Sequence, residues 1–364
     1  MGKPDYLLLG TVAFLIIFGL IVLTSTSIVI SQKKFGESFY FLKHQVFYGA
    51  ILGLIAFFIA SKIDYLILKR SALILMIISI ILMILVLVIG IEYQGAQRWL
   101  SVANFSFQPS ELFKISLIIY LASWLESHKK NINNLDSVIS ILLIILIPTV
   151  LLILQPDLST LAIILLIAMI MYFYSSAKIS YLALGGLGIA FLLFIMAIVA
   201  PYRLQRITGF LNPDSGAQGL NYQINQSLVA IGSGGFWGRG YGQSIQKFNF
   251  LPEPIGDSIF AVLAEEFGLL GVILTVLAFL IILKKGIDLA NRAPDFFSQS
   301  LCLGLSSYIV IQAFINILSI SGLIPLMGIP LPFFSYGGSH LISTLIACGI
   351  LVNISKYTKV GNRE

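Results

Sequence analysis

The chain has 364 residues, 58% of them hydrophobic and 10% charged, with a mean hydropathy of +0.98 and a formal net charge of +6. A soluble globular domain carries about 25% charged residues, so a soluble protein is excluded and a polytopic membrane protein is expected. The positive balance is read as basic residues at membrane edges, and no nucleic acid is expected as a partner.

A membrane-spanning helix needs about 20 largely apolar residues. The first apolar run, Tyr6 to Gln32, contains no charged residue. It is far longer than the roughly 7–15-residue core of a cleavable signal peptide, so it is read as a retained first span. Further spans are predicted at residues 42–61, 72–91, 109–125, 138–155, 158–175, 179–200, 258–283, 298–319 and 338–355. The pair around Gln155–Asp157 also fits a re-entrant break. Phe296 to Ser355 is free of Asp, Glu, Lys and Arg and is long enough for two helices, interrupted by the proline-rich Ser321–Ser335. The expectation is an all-α polytopic membrane protein, one domain over residues 1–364, with about ten transmembrane helices and both termini on one side.

Lysine and arginine choose that side. With the N-terminus inside, the cytoplasmic segments hold Lys3, Lys62, Lys69, Arg70, Lys129, Lys130, Lys178, Lys284, Lys285, Arg292, Lys356, Lys359 and Arg363, and the short outer loops only Lys33, Lys34, Lys43 and Arg98. Both termini are therefore expected in the cytoplasm. A large outer loop, residues 201–257, then joins helices seven and eight. Its apolar and aromatic content, including Phe210, Tyr222, Phe236, Trp237 and Tyr241, argues against disorder and for short helices folded on the membrane surface.

Ionisable residues inside spans are costly and are functional candidates by default. The fourth span reaches full length only if it begins near Pro109, which places Glu111 and Lys114 three residues apart on one helical face. They are either chemistry or a helix-start carboxylate complementing the dipole with its paired lysine. Arg98, beside Trp99, is either an interfacial anchor or a clamp for phosphate oxygens. Asp257, directly before span eight, is either its N-cap or a general base at the mouth of a polar cavity. Of Glu265 and Glu266, two turns deeper, at least one must face the bundle interior or a wet cavity. The glycine-dense Gly232–Gly242 lacks the P-loop signature and is read as tight turns. Arg203, Arg206, Arg239 and Lys247 put four positive charges in the same loop, ordinary for a solvated loop and also suited to a pyrophosphate. Cys302 and Cys348 give no disulfide framework or zinc spacing, and His44, His128 and His340 are scattered, so no metal cluster is expected.

Four stretches in order carry a family resemblance: GAQRWL with FSFQPSELFK (95–100, 105–114), YRLQRITGFLNP (202–213), NYQINQSLVAIGSGGFWGRGYGQSIQKFNFLPEPIGDSIFAVLAEEFGLLG (221–271) and GLIPLMGIPLPFFSYGGSH (322–340). Together they resemble the SEDS family (shape, elongation, division and sporulation), the FtsW and RodA proteins, over nearly the whole chain. The LPEP wording and the AEEFG after it lean toward FtsW. Two departures stand out. Family members often read His-Thr-Asp-Phe where this chain has Ile255-Gly256-Asp257-Ser258, and often Gly-Gly-Ser-Ser where His340 follows Ser339 here.

The resemblance implies a bacterial inner-membrane glycosyltransferase that polymerises lipid II into glycan strands on the extracytoplasmic face. A class B penicillin-binding protein transpeptidase, and other divisome or elongasome membrane proteins, would be its partners. It implies Asp257 as the essential aspartate and Glu111, Lys114, Arg98 and Lys247 as substrate-binding positions. The α-linked donor and β-1,4-linked product require one inverting displacement with a base for the acceptor hydroxyl, without a second carboxylate as nucleophile. Lys114, Arg98 and Lys247, with a divalent cation (Mg or Mn) as an optional helper, would neutralise the pyrophosphate, and Glu111 would hold Lys114 charged and oriented. The rival readings are a lipid II flippase lined by Glu111, Lys114, Glu265 and Glu266, and a non-catalytic activator of the transpeptidase.

Overall fold

The fold comes from a computed structural model, which describes residues 2–93, 96–102, 105–181, 183–188, 191, 210, 220–248 and 250–358. Helix α1 is Tyr6–Phe35; Asp5 caps it by accepting from the Leu8 amide at 3.0 Å, and Gly36 ends it in the left-handed region that favours glycine. Helix α2, Tyr40–Lys62, contains a π-helical segment over Val46–Ile51. Helix α3, Tyr65–Ile89, starts after the Asp64 cap. Strands β1 (Ile91–Tyr93), β2 (Ala96–Val102) and β3 (Phe105–Phe107) form a small antiparallel sheet in that order, with Ile91 opposite Trp99 and Leu100 opposite Phe107. Helix α4 is Pro109–His128, α5 Leu135–Leu154, α6 Leu158–Tyr174 and α7 Leu220–Gly234. Helix α8 runs Ile259–Arg292, α9 Phe296–Ile320 and α10 Gly338–Ser355.

Nine of the ten expected spans have a helix at their place among the described residues; most of the seventh, 179–200, lies outside them, as do Arg203 and Arg206. Among the described residues seven helices are long and apolar enough to cross a membrane: α1, α2, α3, α5, α8, α9 and α10. Helix α4, with Glu111, Lys114 and Glu126, and the 17-residue α6 fall outside that number. Several boundaries differ from expectation; α1, for one, runs on to Phe35, so Lys33 and Lys34 lie in its last turn. Helix α3 starts at Tyr65, so Lys69 and Arg70 ride on its first turns. Helix α8 runs on to Arg292 and is broken at Gly268, where φ is 64°. The segment before α4, which carries the anchor-or-clamp pair Arg98 and Trp99, folds as the sheet.

The loops and helix ends sort to opposite ends of the bundle. At one end the two tails meet: the Gly2 amide donates to Lys356 O at 2.8 Å, the Asp5 amide to Ser355 Oγ at 3.1 Å, and Lys285 Nζ to Asp5 Oδ2 at 2.8 Å. Tyr65 bonds Asp295, and Lys356 bonds Ser61 O, at the same end. At the other end Gln108 N donates to Ser339 Oγ, Gly337 N to Gln45 Oε1, and Tyr336 N to Ile255 O. This is the alternation that successive spans require. Helices α9 and α10 sit at the centre, buried on most faces, whereas α3 and α5 expose rows of Ile and Leu such as Ile74, Ile77, Ile78, Leu142 and Leu146. In lipid those rows are ordinary, because there is no water to drive them inward.

Candidate active site

Pro109 suits the first turn of a helix because its missing N–H would be unpaired there anyway, and it fixes the start of α4 about one and a half turns before Lys114. Glu111 and Lys114 then point into the bundle, 3% and 1% exposed. Lys114 Nζ lies 2.8 Å from Glu111 Oε1 and 2.9 Å from Gln312 Oε1, and 4.9 Å from the centre of the Tyr308 ring. Glu111 Oε2 is held by His340 Nδ1 at 3.0 Å, Ser343 Oγ at 3.0 Å and Tyr308 OH at 3.4 Å. A buried ion pair is tolerated only when further hydrogen bonds satisfy its remaining atoms, and α9 and α10 supply them here. His340, which departs from the family pattern, therefore has a place: it donates to the same carboxylate.

Asp257 sits in the turn before α8 and is half-buried. It is not the N-cap; Ser258 takes that position, without a side-chain cap bond. Three consecutive carbonyls of the turn are each taken by a donor from another part of the chain. Ile255 O accepts from the Tyr336 amide at 2.8 Å, Gly256 O from Ser335 Oγ at 2.7 Å, and Asp257 O from Asn316 Nδ2 at 2.8 Å. Gln223 Nε2, on α7, donates to Ser258 Oγ at 2.9 Å. The backbone beneath the carboxylate is thus fixed from three sides.

Tyr308, Gln312 and Asn316 lie four residues apart on α9 and so share one face. Tyr308 and Gln312 touch the Glu111–Lys114 pair and Asn316 touches the Asp257 turn. The sequence reading named neither these three nor Ser343. The signal was available: polar residues at helical spacing inside Phe296–Ser355, which has no Asp, Glu, Lys or Arg.

The other two cationic candidates are engaged elsewhere. Arg98, on β2, donates through Nε to Gln155 O at 3.2 Å and through Nη2 to Pro156 O. Gln155 Nε2 in turn donates to Met83 O at 2.8 Å, and Asp157 caps α6 by accepting from Thr160. Arg98 is therefore a brace between the sheet and the α5–α6 junction. Lys247 is 4% exposed, and its ammonium reaches Glu266 Oε1, Ser25 Oγ and Gly242 O, each at 2.8 Å. Its three N–H donors match those three acceptors. Glu265 accepts from Ser244 Oγ at 2.6 Å, from the Ile245 amide at 2.9 Å and from Arg239. The two glutamates thus stitch the glycine-dense segment 235–247 onto α8 where Gly268 breaks the helix. There Gly238 and Gly268 approach so closely that a Cβ on Gly268 would lie 2.2 Å from Gly238 N.

Fold and site together define a multi-pass membrane protein with a buried charged pair and an anchored aspartate turn, joined by one helix face. The chain belongs to the FtsW/RodA/SpoVE family of cell cycle proteins, whose profile matches residues 5–360. It is 40% identical to the stage V sporulation protein E of Bacillus subtilis strain 168, over 98% of each chain. It is 37% identical to a probable peptidoglycan glycosyltransferase FtsW of Trichlorobacter lovleyi, covering 99% of this chain and 95% of that one. Among solved structures it resembles the rod shape determining protein RodA of Thermus thermophilus, with a TM-score of 0.72, 26% identity and 98% of each chain covered. It also resembles a chain from a study of polymerisation and crosslinking by a peptidoglycan synthase complex, with a TM-score of 0.82, 26% identity and 98% and 99% covered.

Proposed function

We propose that this chain is a peptidoglycan glycosyltransferase that polymerises lipid II by a single inverting displacement, with Asp257 as general base. The observation that carries the reading is the α9 face that joins the anchored Asp257 turn to the Glu111–Lys114 pair. The Asp257 carboxylate takes the proton from the acceptor 4-hydroxyl. That oxygen bonds to C1 of the donor sugar as the C1–O bond to pyrophosphate breaks, and undecaprenyl pyrophosphate leaves with the bonding electrons. Pyrophosphate needs charge neutralisation more than protonation, and buried Lys114 supplies it where a low dielectric strengthens it. Glu111 orients the lysine. Arg98 and Lys247 act by shaping the site from the α5–α6 junction and the 235–247 segment.

Among the described residues no three His, Cys, Asp or Glu gather to ligate an ion. A divalent cation would therefore ride on the pyrophosphate with one or two carboxylates, a common arrangement for magnesium. The tail end of the bundle holds Lys3, Lys62, Lys69, Arg70, Lys129, Lys130, Lys178, Lys284, Lys285, Arg292 and Lys356, which supports placing it in the cytoplasm of a bacterial inner membrane. Asp257 then faces the extracytoplasmic side, and polyprenyl tails remain in the outer leaflet. A class B penicillin-binding protein is the proposed partner, with the division or sporulation machinery as its setting.

The test is a gel assay of lipid II polymerisation by wild type and Asp257→Asn, each with a cognate transpeptidase, with and without chelator. Loss of a general base costs about 10²–10⁴-fold, so the variant should form no ladder while binding its partner normally. A wild-type-like ladder from Asp257→Asn would remove the base assignment. Wild-type movement of lipid II across liposomes without any ladder would favour the flippase.

A further inference from the structure

We infer that Gln312 and Asn316 are positioning residues that hold the two candidate reacting groups in register through one shared anchor, the adjacent carbonyls of Ile329 and Pro330. The inference rests on the polymerase reading for its kinetic consequence and on geometry for its structural one.

Both amides are buried, 1% and 0% exposed. Gln312 Oε1 accepts from Lys114 Nζ at 2.9 Å, and its Nε2 donates to Pro330 O at 3.3 Å. Asn316 Nδ2 donates to Asp257 O at 2.8 Å and to Ile329 O at 2.6 Å. Each amide therefore has a contact on a candidate reacting group or its backbone, and another on the same dipeptide; Gln312 Nε2 also lies 3.3 Å from His340 Nδ1. The two side chains leave α9 one turn apart, about 6 Å along the axis at 1.5 Å per residue.

The shared anchor is itself stiff. Pro330 and Pro332 have φ fixed by their rings. The Leu331 amide donates to Ser335 Oγ at 2.8 Å, and that hydroxyl donates to Gly256 O. The Asp257 turn is consequently tied to residues 329–336 directly and to α9 through Asn316. A side chain that only filled volume here would be apolar, because burying an amide is costly unless it is hydrogen-bonded; Asn316 is held through Nδ2 alone, its Oδ1 being buried without a hydrogen-bond partner among the described residues. Loss of either amide would leave carbonyls unpaired and let the two groups shift relative to one another. In catalysis a displacement of about 1 Å costs about a hundredfold in rate.

The experiment uses full-length protein in detergent with its transpeptidase partner and lipid II, and reads two quantities. The first is hydrogen exchange in peptides covering residues 255–258 and 329–331; the second is kcat and KM for polymerisation. Asn316→Leu should raise exchange in both segments together and lower kcat about a hundredfold, with KM within about threefold. Gln312→Glu keeps the acceptor for Lys114 but loses the donor to Pro330, and should raise exchange at 329–331 alone. Ile315→Leu, on the same helix, should move neither. If Asn316→Leu does not fold, Asn316→Ser carries the same two predictions, since its short hydroxyl cannot bridge both carbonyls. Exchange rising in only one segment with an Asn316 variant, or a lower melting midpoint with kcat unchanged, overturns the inference. A wild type that makes no polymer refutes the polymerase reading instead, and the exchange data still decide the anchor.

Discussion

Lys114 and Glu111 form a 2.8 Å ion pair one turn apart inside the bundle, and Gln312 completes the lysine from the facing helix. Removing one member of a buried pair costs about 3–5 kcal/mol, because the other charge is left unpaired. Lys114→Met and Glu111→Gln should each lower the thermal midpoint in detergent more than the double variant does per substitution. Lys114→Ala should also reduce lipid II turnover far more than Lys33→Ala, which removes a charge near the exposed end of α1. Equal turnover in the two alanine variants would leave the leaving-group role unsupported.

Lys247 and Glu266 make a second test, since the lysine is saturated by Glu266, Ser25 and Gly242. If it acts as a clasp, Lys247→Met and Glu266→Gln should give the same loss of stability and the same faster proteolysis within residues 239–247. The double variant should be little worse than either, as expected for residues sharing one interaction. Direct contact with pyrophosphate would instead raise KM in Lys247→Met alone.

Arg98 braces two backbone carbonyls of the α5–α6 junction. Hydrogen bonds to a charged group contribute about 1.5–3 kcal/mol, so Arg98→Ala should destabilise by about that amount. Arg98→Lys should restore only part of it, because an ammonium cannot reproduce the planar fork. Chemical melting curves of the two variants check the order.

Gly268 has φ 64° and almost no room, whereas a Cβ on Gly10 would meet nothing within 4 Å. Backbone strain in that region alone costs about 1–3 kcal/mol, and the clash with Gly238 adds to it. Gly268→Ala should lower folded yield sharply, and Gly10→Ala should leave it unchanged, as size-exclusion profiles would report.

The spans and the segregation of basic residues were legible because lipid imposes a length and a polarity on each helix. Glu111 and Lys114 stood out because charge is rare inside apolar runs. The partners of those charges did not stand out. Ser25 meets Lys247 across 222 residues of chain, and His340 meets Glu111 across 229, so sequence spacing carries no trace of either contact. By sequence Asp257 stands open between helix cap and general base; the turn runs one residue further and leaves the cap position to Ser258, so only the cap alternative falls. The small sheet escaped notice because strands of 3 to 7 residues beside a span are too short to show an alternating pattern. Relatives named FtsW and a stage V sporulation protein E both lie within the family that the four stretches resemble.

The backbone latch between Gly2 and Lys356 has a practical corollary. Two halves of a split fluorescent reporter, one fused to each tail, would emerge side by side on a single molecule and reassemble without a second copy. Their glow would report, in living cells, that the helices bearing Gly2 and Lys356 at their ends have come together.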